Sequence, residues 1–294
     1  MKRSDLALTL SHRLILLFCI FLVCYVLAAA GMYVLGRLMP DRIVAVLRVS
    51  TVLQDVLTFI LPALITALIV TRRPAQLLCL MTVPSLRSIL LVAGLLLASI
   101  PLQEAIIYAN AHITLPESMA GFEQMARMLE ERAFETLKLL LADTSAPSTI
   151  INCLIIGVLA GFSEELLFRG CFQRLLTTAG VNPHLAIWLV AFCFSALHMQ
   201  FFGFVPRMLL GAYFGYLLFW TRSIWVPMLA HVLNNLMFVL TASHQIRRDG
   251  IDSLSADPQL WSPVATIGSL ALTALILWLL WRGRVRKAVP TLPQ

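Results

Sequence analysis

The chain has 294 residues, of which 60% are hydrophobic and only 13% are charged, and its formal net charge at pH 7 is +7. Because about a quarter of the residues of a soluble protein are charged, this composition excludes an ordinary soluble domain. A mean hydropathy of +0.87 predicts an all-α, polytopic membrane helical bundle. The positive charge does not indicate nucleic-acid binding, because most cations lie at the ends of apolar runs, where basic residues orient a membrane protein.

The lengths of the apolar runs predict about eight transmembrane helices. In chain order they cover roughly residues 14–36, 49–71, 88–106, 148–170, 184–202, 204–221, 223–244 and 260–281. The first run follows several cations and contains Ala28-Ala29-Ala30, so a cleaved signal peptide is an alternative. Its 23 residues without charge, from Leu14 to Gly36, favour a retained helix.

The positions of the basic residues predict that both termini are cytoplasmic. The cations before the first span, in the segment 72–87 and after the last span then share one side of the membrane. One loop disagrees with this orientation, because it places Arg37, Arg42 and Arg48 outside. We expect the membrane to be a bacterial plasma (inner) membrane.

The segment 104–147 holds seven acidic residues and is expected outside, and its stretch from about 117 to 142 is too charged to cross a membrane. Apolar residues recur at helical spacing between about 117 and 142, which predicts an amphipathic helix against the membrane or the bundle. We therefore divide the chain into three parts. Residues 1–147 hold the N-terminal transmembrane helices and the acidic segment, residues 148–245 form a helical core, and residues 246–294 hold a loop and the C-terminal helix with its basic tail.

Three polar clusters interrupt the apolar runs of the core. Titratable groups at membrane depth are costly, so each is a candidate functional site. In the first cluster, Glu165 and Arg169 are four residues apart, so they share a helix face and can form an ion pair. Glu164 points about 100° away and is left for the interior of the bundle, where burial favours a general base that works near neutral pH.

The other two clusters supply imidazoles and an amide. His198 ends the apolar run from Ala186 to Leu197, and His231 precedes Asn235 by four residues, so that both side chains can reach the same cavity. Helix rise places the three segments at compatible depths. The sequence therefore predicts a hydrolytic site made of Glu164, His198, His231 and Asn235, with Glu165 and Arg169 in support.

Three motifs in order carry a specific resemblance. The runs Glu164-Glu165-x-x-x-Arg169, Phe194-x-x-x-His198 and His231-x-x-x-Asn235 resemble the EExxxR, FxxxH and HxxxN motifs of the CPBP family of intramembrane proteases, also called the Abi family. This family contains CAAX prenyl endopeptidases and bacteriocin-processing or self-immunity proteins. The resemblance covers about residues 148–245, which makes the core the expected catalytic part.

The resemblance implies a role for each matching residue. Glu164 would activate the attacking water with help from His198, and His231 with Asn235 would stabilise the oxyanion of the tetrahedral intermediate. The implied reaction is hydrolysis of a peptide bond in a membrane-associated protein or peptide, prenylated or bearing a leader. The lipid bilayer is the only other partner that we expect, and oligomeric state is left open.

Metal dependence is a separate question, because the family has been described both as metalloproteases and as glutamate-dependent enzymes. The six cysteines show no CxxC pairing and predict neither a disulfide framework nor a zinc cluster. Glu164, His198 and His231 would make an open three-ligand zinc site. Asparagine is a poor zinc ligand and the HExxH spacing is absent, so ligand chemistry favours a site without metal.

Two other classes of function compete with the protease. A non-catalytic immunity or scaffold protein of the same fold would use the cavity for binding, but the complete set of catalytic-type residues argues against it. A proton-coupled transporter would relay protons through Glu164 and His198. Transporters commonly show repeated halves with broken helices, and no such repeat is evident here.

Overall fold

The computed structural model describes residues 8–254 and 260–284, which are helical and contain no β-strand. Two groups of cations used in the orientation prediction lie outside these residues, namely Lys2 with Arg3 and the basic tail after Arg284. The main helices are α1 (Leu10–Leu38), α2 (Ile43–Val70), α3 (Leu86–Ala98), α4 (Ile100–Ala111), α5 (Ala120–Leu141), α6 (Ala146–Thr178), α7 (Pro183–Ala196), α8 (Phe204–Thr221), α9 (Trp225–Asp249) and α10 (Pro263–Arg282). The all-α membrane fold is confirmed.

The predicted count of eight spans is not confirmed. By length and apolarity, five helices of the described residues could cross a membrane: α1, α2, α6, α9 and α10. The pair α3 and α4 makes a sixth if it is one bent span, and α7 is a shorter apolar helix. The protein is an integral membrane protein on either count.

The predicted span 88–106 is two helices that meet at an angle of 50°. The break falls at Ser99, which ends α3, and Pro101 lies at the start of α4. Proline has no N–H to donate to the preceding turn, and its ring clashes with a continued helix, so the chain bends there. The Ser99 hydroxyl donates to Leu96 O over 3.1 Å and so satisfies one carbonyl at the break.

Helix α9 holds the bundle together, because it reaches three groups of buried apolar residues. Met228 packs with residues of α1, α2, α6 and α7, while Ala230 packs with residues of α3, α8 and α10. Further along, Val239 packs against the end of α5. The two functional positions predicted on this helix therefore lie at the centre of the bundle.

Close contact between α6 and α9 depends on a glycine. A Cβ atom at Gly161 would lie 2.9 Å from the backbone nitrogen of Val232, so a larger residue would push the two helices apart. Small residues of this kind are typical where membrane helices pack closely. The contact places Glu164 of α6 beside His231 of α9.

The predicted amphipathic helix is confirmed as α5. Its N-terminal half contacts the loop between α7 and α8 from the outside of the bundle. Phe122 packs edge-on against Phe201 with ring centroids 5.3 Å apart, and the Arg127 guanidinium lies 4.1 Å from the centre of the Phe202 ring. The helix therefore covers the loop that carries His198.

Candidate active site

Glu165 is the buried centre of the polar cluster. Its side chain is fully buried, and its Oε1 accepts hydrogen bonds from Arg169 Nη1 at 2.7 Å and from His231 Nδ1 at 2.9 Å. Arg169, equally buried, also donates from Nη2 to Gly211 O of α8 at 2.8 Å. The spacing predicted the ion pair, but not the bond from Glu165 to His231.

The surroundings of Arg169 suit a buried cation. The aromatic rings of Phe194, Phe214 and Phe168 have centres 4.6, 5.4 and 5.8 Å from the guanidinium carbon. Such rings attract a cation through their faces. The network thus ties α6, α7 and α8 around one charge pair.

His231 is held in one orientation by two contacts. Because a carboxylate can only accept a hydrogen bond, the proton of this bond is on His231 Nδ1. The ring stacks on Phe214 with centroids 4.8 Å apart, and its Nε2 lies 3.8 Å from Glu164 Oε2. His231 is therefore a fixed imidazole whose second nitrogen faces the other glutamate.

Glu164 differs from Glu165 as the spacing predicted. Its side chain is 14% exposed, and its Oε2 lies 3.8 Å from His231 Nε2. Its charge also acts on Asp55, Arg169, His198 and Arg207, which come from four different elements. The Glu164 carboxylate therefore interacts electrostatically with groups from several elements.

His198 lies in the turn that follows α7 and is exposed. Its Nδ1 donates to Phe194 O at 2.9 Å, so Nε2 carries the free lone pair. The ring packs edge-on against Phe194, which also lies against His231 with centroids 6.0 Å apart. Phe194 thus contacts both imidazoles, of which His231 is the one that faces Glu164.

Asn235 lies one turn from His231 on α9, as predicted, but its amide is already in use. Nδ2 donates to Ile156 O of α6 at 3.1 Å, and Oδ1 accepts from Asn234 at 3.3 Å. Ile156 lies in a π-helical stretch, Cys153–Leu159. Sequence spacing could not show this bond, because it depends on how α6 and α9 pack.

The candidate zinc ligands Glu164, His198 and His231 are not grouped as a metal site. Within residues 8–254 and 260–284, no group of three or more histidine, cysteine, aspartate or glutamate side chains is arranged to hold a metal. His231 and His198 each direct Nδ1 to a protein acceptor, which leaves Nε2 free on both rings.

Two charged residues near Glu164 were not among the predicted site residues. Asp55 begins a π-helical stretch of α2, is 3% exposed, and accepts a hydrogen bond from the Ser163 hydroxyl at 3.1 Å. Arg207 lies in the first turns of α8, beside the His198 loop. Each is a lone charge inside an apolar run, which is the signal that could have found them.

Comparison with known proteins agrees with this geometry. Residues 146–237 match the family model described as Type II CAAX prenyl endopeptidase Rce1-like. This segment is Rce1-like. The match confirms the resemblance to the CPBP family, and the Rce1-like segment contains Glu164, Glu165, Arg169, His198, His231 and Asn235.

A bacterial relative extends the comparison. The chain is 28% identical over 109 residues to the uncharacterized protein YpbD of Bacillus subtilis (strain 168). The aligned region is 35% of this chain and 53% of YpbD, so it spans about half of the relative. No solved structure matches the chain. The Rce1-like segment therefore points to a CAAX-type protease, a hydrolase, while α1 to α5 and α10 lie outside the family match.

Proposed function

We propose that the protein is an intramembrane endopeptidase that hydrolyses a peptide bond in a membrane-associated protein. The observation that carries the proposal is the division of the two glutamates. Glu165 is fully buried and holds both Arg169 and His231, whereas Glu164 is partly exposed and faces His231 Nε2. Glu165 therefore holds the site together, and Glu164 is available to react.

In the proposed reaction Glu164 takes a proton from a water molecule, whose oxygen attacks the scissile carbonyl carbon. The electron pair of the carbonyl bond moves to the oxygen, which becomes the oxyanion. His198 Nε2 accepts a hydrogen bond from the same water and orients it, since its Nδ1 is committed to Phe194 O. The protonated Glu164 then donates to the leaving amine as the tetrahedral intermediate collapses.

The oxyanion site combines His231 and Asn235. When protonated, His231 donates from Nε2, because Nδ1 stays on Glu165. The Asn235 amide has two N–H groups, and one remains for the oxyanion after the other has bonded Ile156 O. Donors fixed in advance around developing negative charge commonly make a large contribution to catalysis.

We propose that the reaction uses no metal ion, because no three histidine, cysteine, aspartate or glutamate side chains of the described residues are arranged to hold one. The substrate class is a prenylated or leader-bearing protein, or a peptide anchored in the bilayer. The proposed location is a bacterial plasma membrane with both termini in the cytoplasm. C-terminal fusions to a reporter active on only one side of the membrane test this orientation.

The experiment that tests the function compares membranes of cells that carry the wild-type chain, Glu164→Gln or Glu131→Gln. Glu131 is an exposed residue of α5 and serves as the matched control. We expect one or more precursors to accumulate with Glu164→Gln alone, since loss of a general base typically slows a reaction by about 10²–10⁴-fold.

Equal membrane proteomes for the three chains would refute the proposed protease function. If Glu164→Gln also keeps the biological activity of the wild type, the non-catalytic immunity or scaffold function replaces it. Amounts of each chain in the membrane are measured alongside, so that loss of the protein is not mistaken for loss of activity.

A further inference from the structure

Arg207 has a free hydrogen-bond donor next to the proposed site. Its Nη2 donates to Gln200 Oε1 at 2.5 Å, whereas its Nη1 is buried and has no hydrogen-bond partner among the described residues. A buried N–H without an acceptor costs stability, and a buried cation costs more. Nη1 is therefore a donor that is available to a bound anion.

The register of α8 places Arg207 on the side of the helix that faces the site. Arg207, Gly211 and Phe214 follow one another at intervals of four and three residues, so they share one helix face. Gly211 O accepts from Arg169, and Phe214 stacks on His231. Arg207 therefore continues this face by one turn, about 6 Å along the axis, toward the loop that holds His198.

The charges around Arg207 are those of the site. Glu164 acts on the guanidinium more strongly than Glu130 of α5 does. Arg207 in turn acts on His198. Glu130 is also occupied elsewhere, because the backbone N–H groups of Phe202 and Gly203 donate to it. Glu164 is thus within electrostatic range of Arg207 before the reaction.

We infer that Arg207 is a further catalytic residue, whose free Nη1 binds the oxyanion of the tetrahedral intermediate. When Glu164 takes the proton from water, its negative charge disappears and one negative charge appears on the former carbonyl oxygen. The guanidinium exchanges one anionic partner for another, so the transition state gains a charged hydrogen bond without burying a new cation. His231 and Asn235 supply the other donors, and Arg207 supplies a permanent positive charge.

This inference rests on the proposed protease function, and the test separates the two. Membranes with Glu164→Gln first identify an accumulating precursor, and a quenched fluorescent peptide that spans its cleavage site is then used with purified full-length protein. For Arg207→Gln we expect kcat to fall by about 100-fold with KM unchanged, as for other single donors to an oxyanion. Arg207→Lys keeps the positive charge, so its kcat should fall less than that of Arg207→Gln. Arg222→Gln, the same change at the other end of α8, is the control.

Chemical rescue distinguishes catalysis from support of the loop. Added guanidinium ion should restore part of the kcat of Arg207→Ala, while the same concentration of urea, which is neutral and similar in shape, should not. An unchanged kcat in Arg207→Gln overturns the inference and leaves the protease standing. So does an effect confined to KM that vanishes with an amidated peptide, since Arg207 would then bind the carboxylate of the substrate. Absence of any precursor with Glu164→Gln refutes both.

Discussion

Replacing Arg169 by methionine tests whether the buried ion pair holds the site together. The change leaves the Glu165 carboxylate without its cation in a position with no exposed surface, and it removes the donor to Gly211 O. Removing one partner of a buried ion pair lowers the free energy of unfolding by about 3–5 kcal/mol. At roughly 2–4 °C per kcal/mol, the melting temperature of the purified protein should fall by about 6–20 °C.

A second variant makes this prediction specific. Changing Glu165→Gln together with Arg169→Met removes both charges, while the glutamine oxygen can still accept from His231 Nδ1. We expect the double variant to melt above Arg169→Met, because no charge is left unpaired. The exposed Arg132→Met on α5 is the control and should melt like the wild type. A single variant within about 2 °C of the wild type, where roughly 6 °C or more is expected, would refute the reasoning.

Three further predictions concern packing, metal and pH. Gly161→Ala should destabilise the protein more than Gly157→Ala, because a Cβ at 161 meets the Val232 backbone and one at 157 meets mainly a flexible leucine side chain; melting temperatures decide. Cleavage should persist after prolonged treatment with EDTA or phenanthroline, and an activity that returns only when zinc is added back would contradict the proposal. Hydrogen bonds from Arg127 and then from a backbone N–H lower the pKa of the Glu123 carboxylate from its ordinary value. Its stabilising effect is therefore present above the ordinary pKa of a glutamate and is lost as the pH falls, so Glu123→Gln should lose less stability than the wild type between about pH 5 and pH 3.

Features that depend on neighbours along the chain could be predicted from the sequence. Composition gave the membrane helical class, helical spacing gave α5, and the four-residue interval gave the pair of Glu165 with Arg169. The helical rotation of about 100° per residue separated the directions of the two adjacent glutamates. In each case the deciding residues lie within a few turns of one helix, where geometry follows from sequence position.

Features that depend on packing between helices could not be predicted. Arg48 was placed in an outer loop, but it lies within α2 and donates to Asn152 Oδ1 at 3.2 Å and to the Ser148 hydroxyl. These part-buried bonds depend on how α2 and α6 pack, which the sequence could not show. The bonds of Asn235 to Ile156 and of His231 to Glu165 likewise depend on the contact of α6 with α9. Arg207 had a sequence signal, a lone charge in an apolar run, but its position relative to Glu164 depends on how α6 and α8 pack.

The most direct test of the central claim follows the oxygen of the attacking water. Wild-type protein in liposomes is incubated with the accumulated precursor in water labelled with heavy oxygen, and the new C-terminus is analysed by mass spectrometry. We predict that one labelled oxygen enters the new carboxylate, and that Glu164→Gln gives no product while Glu131→Gln cleaves like the wild type. Cleavage by Glu164→Gln at the wild-type rate would contradict the assignment of Glu164 as the base that activates water.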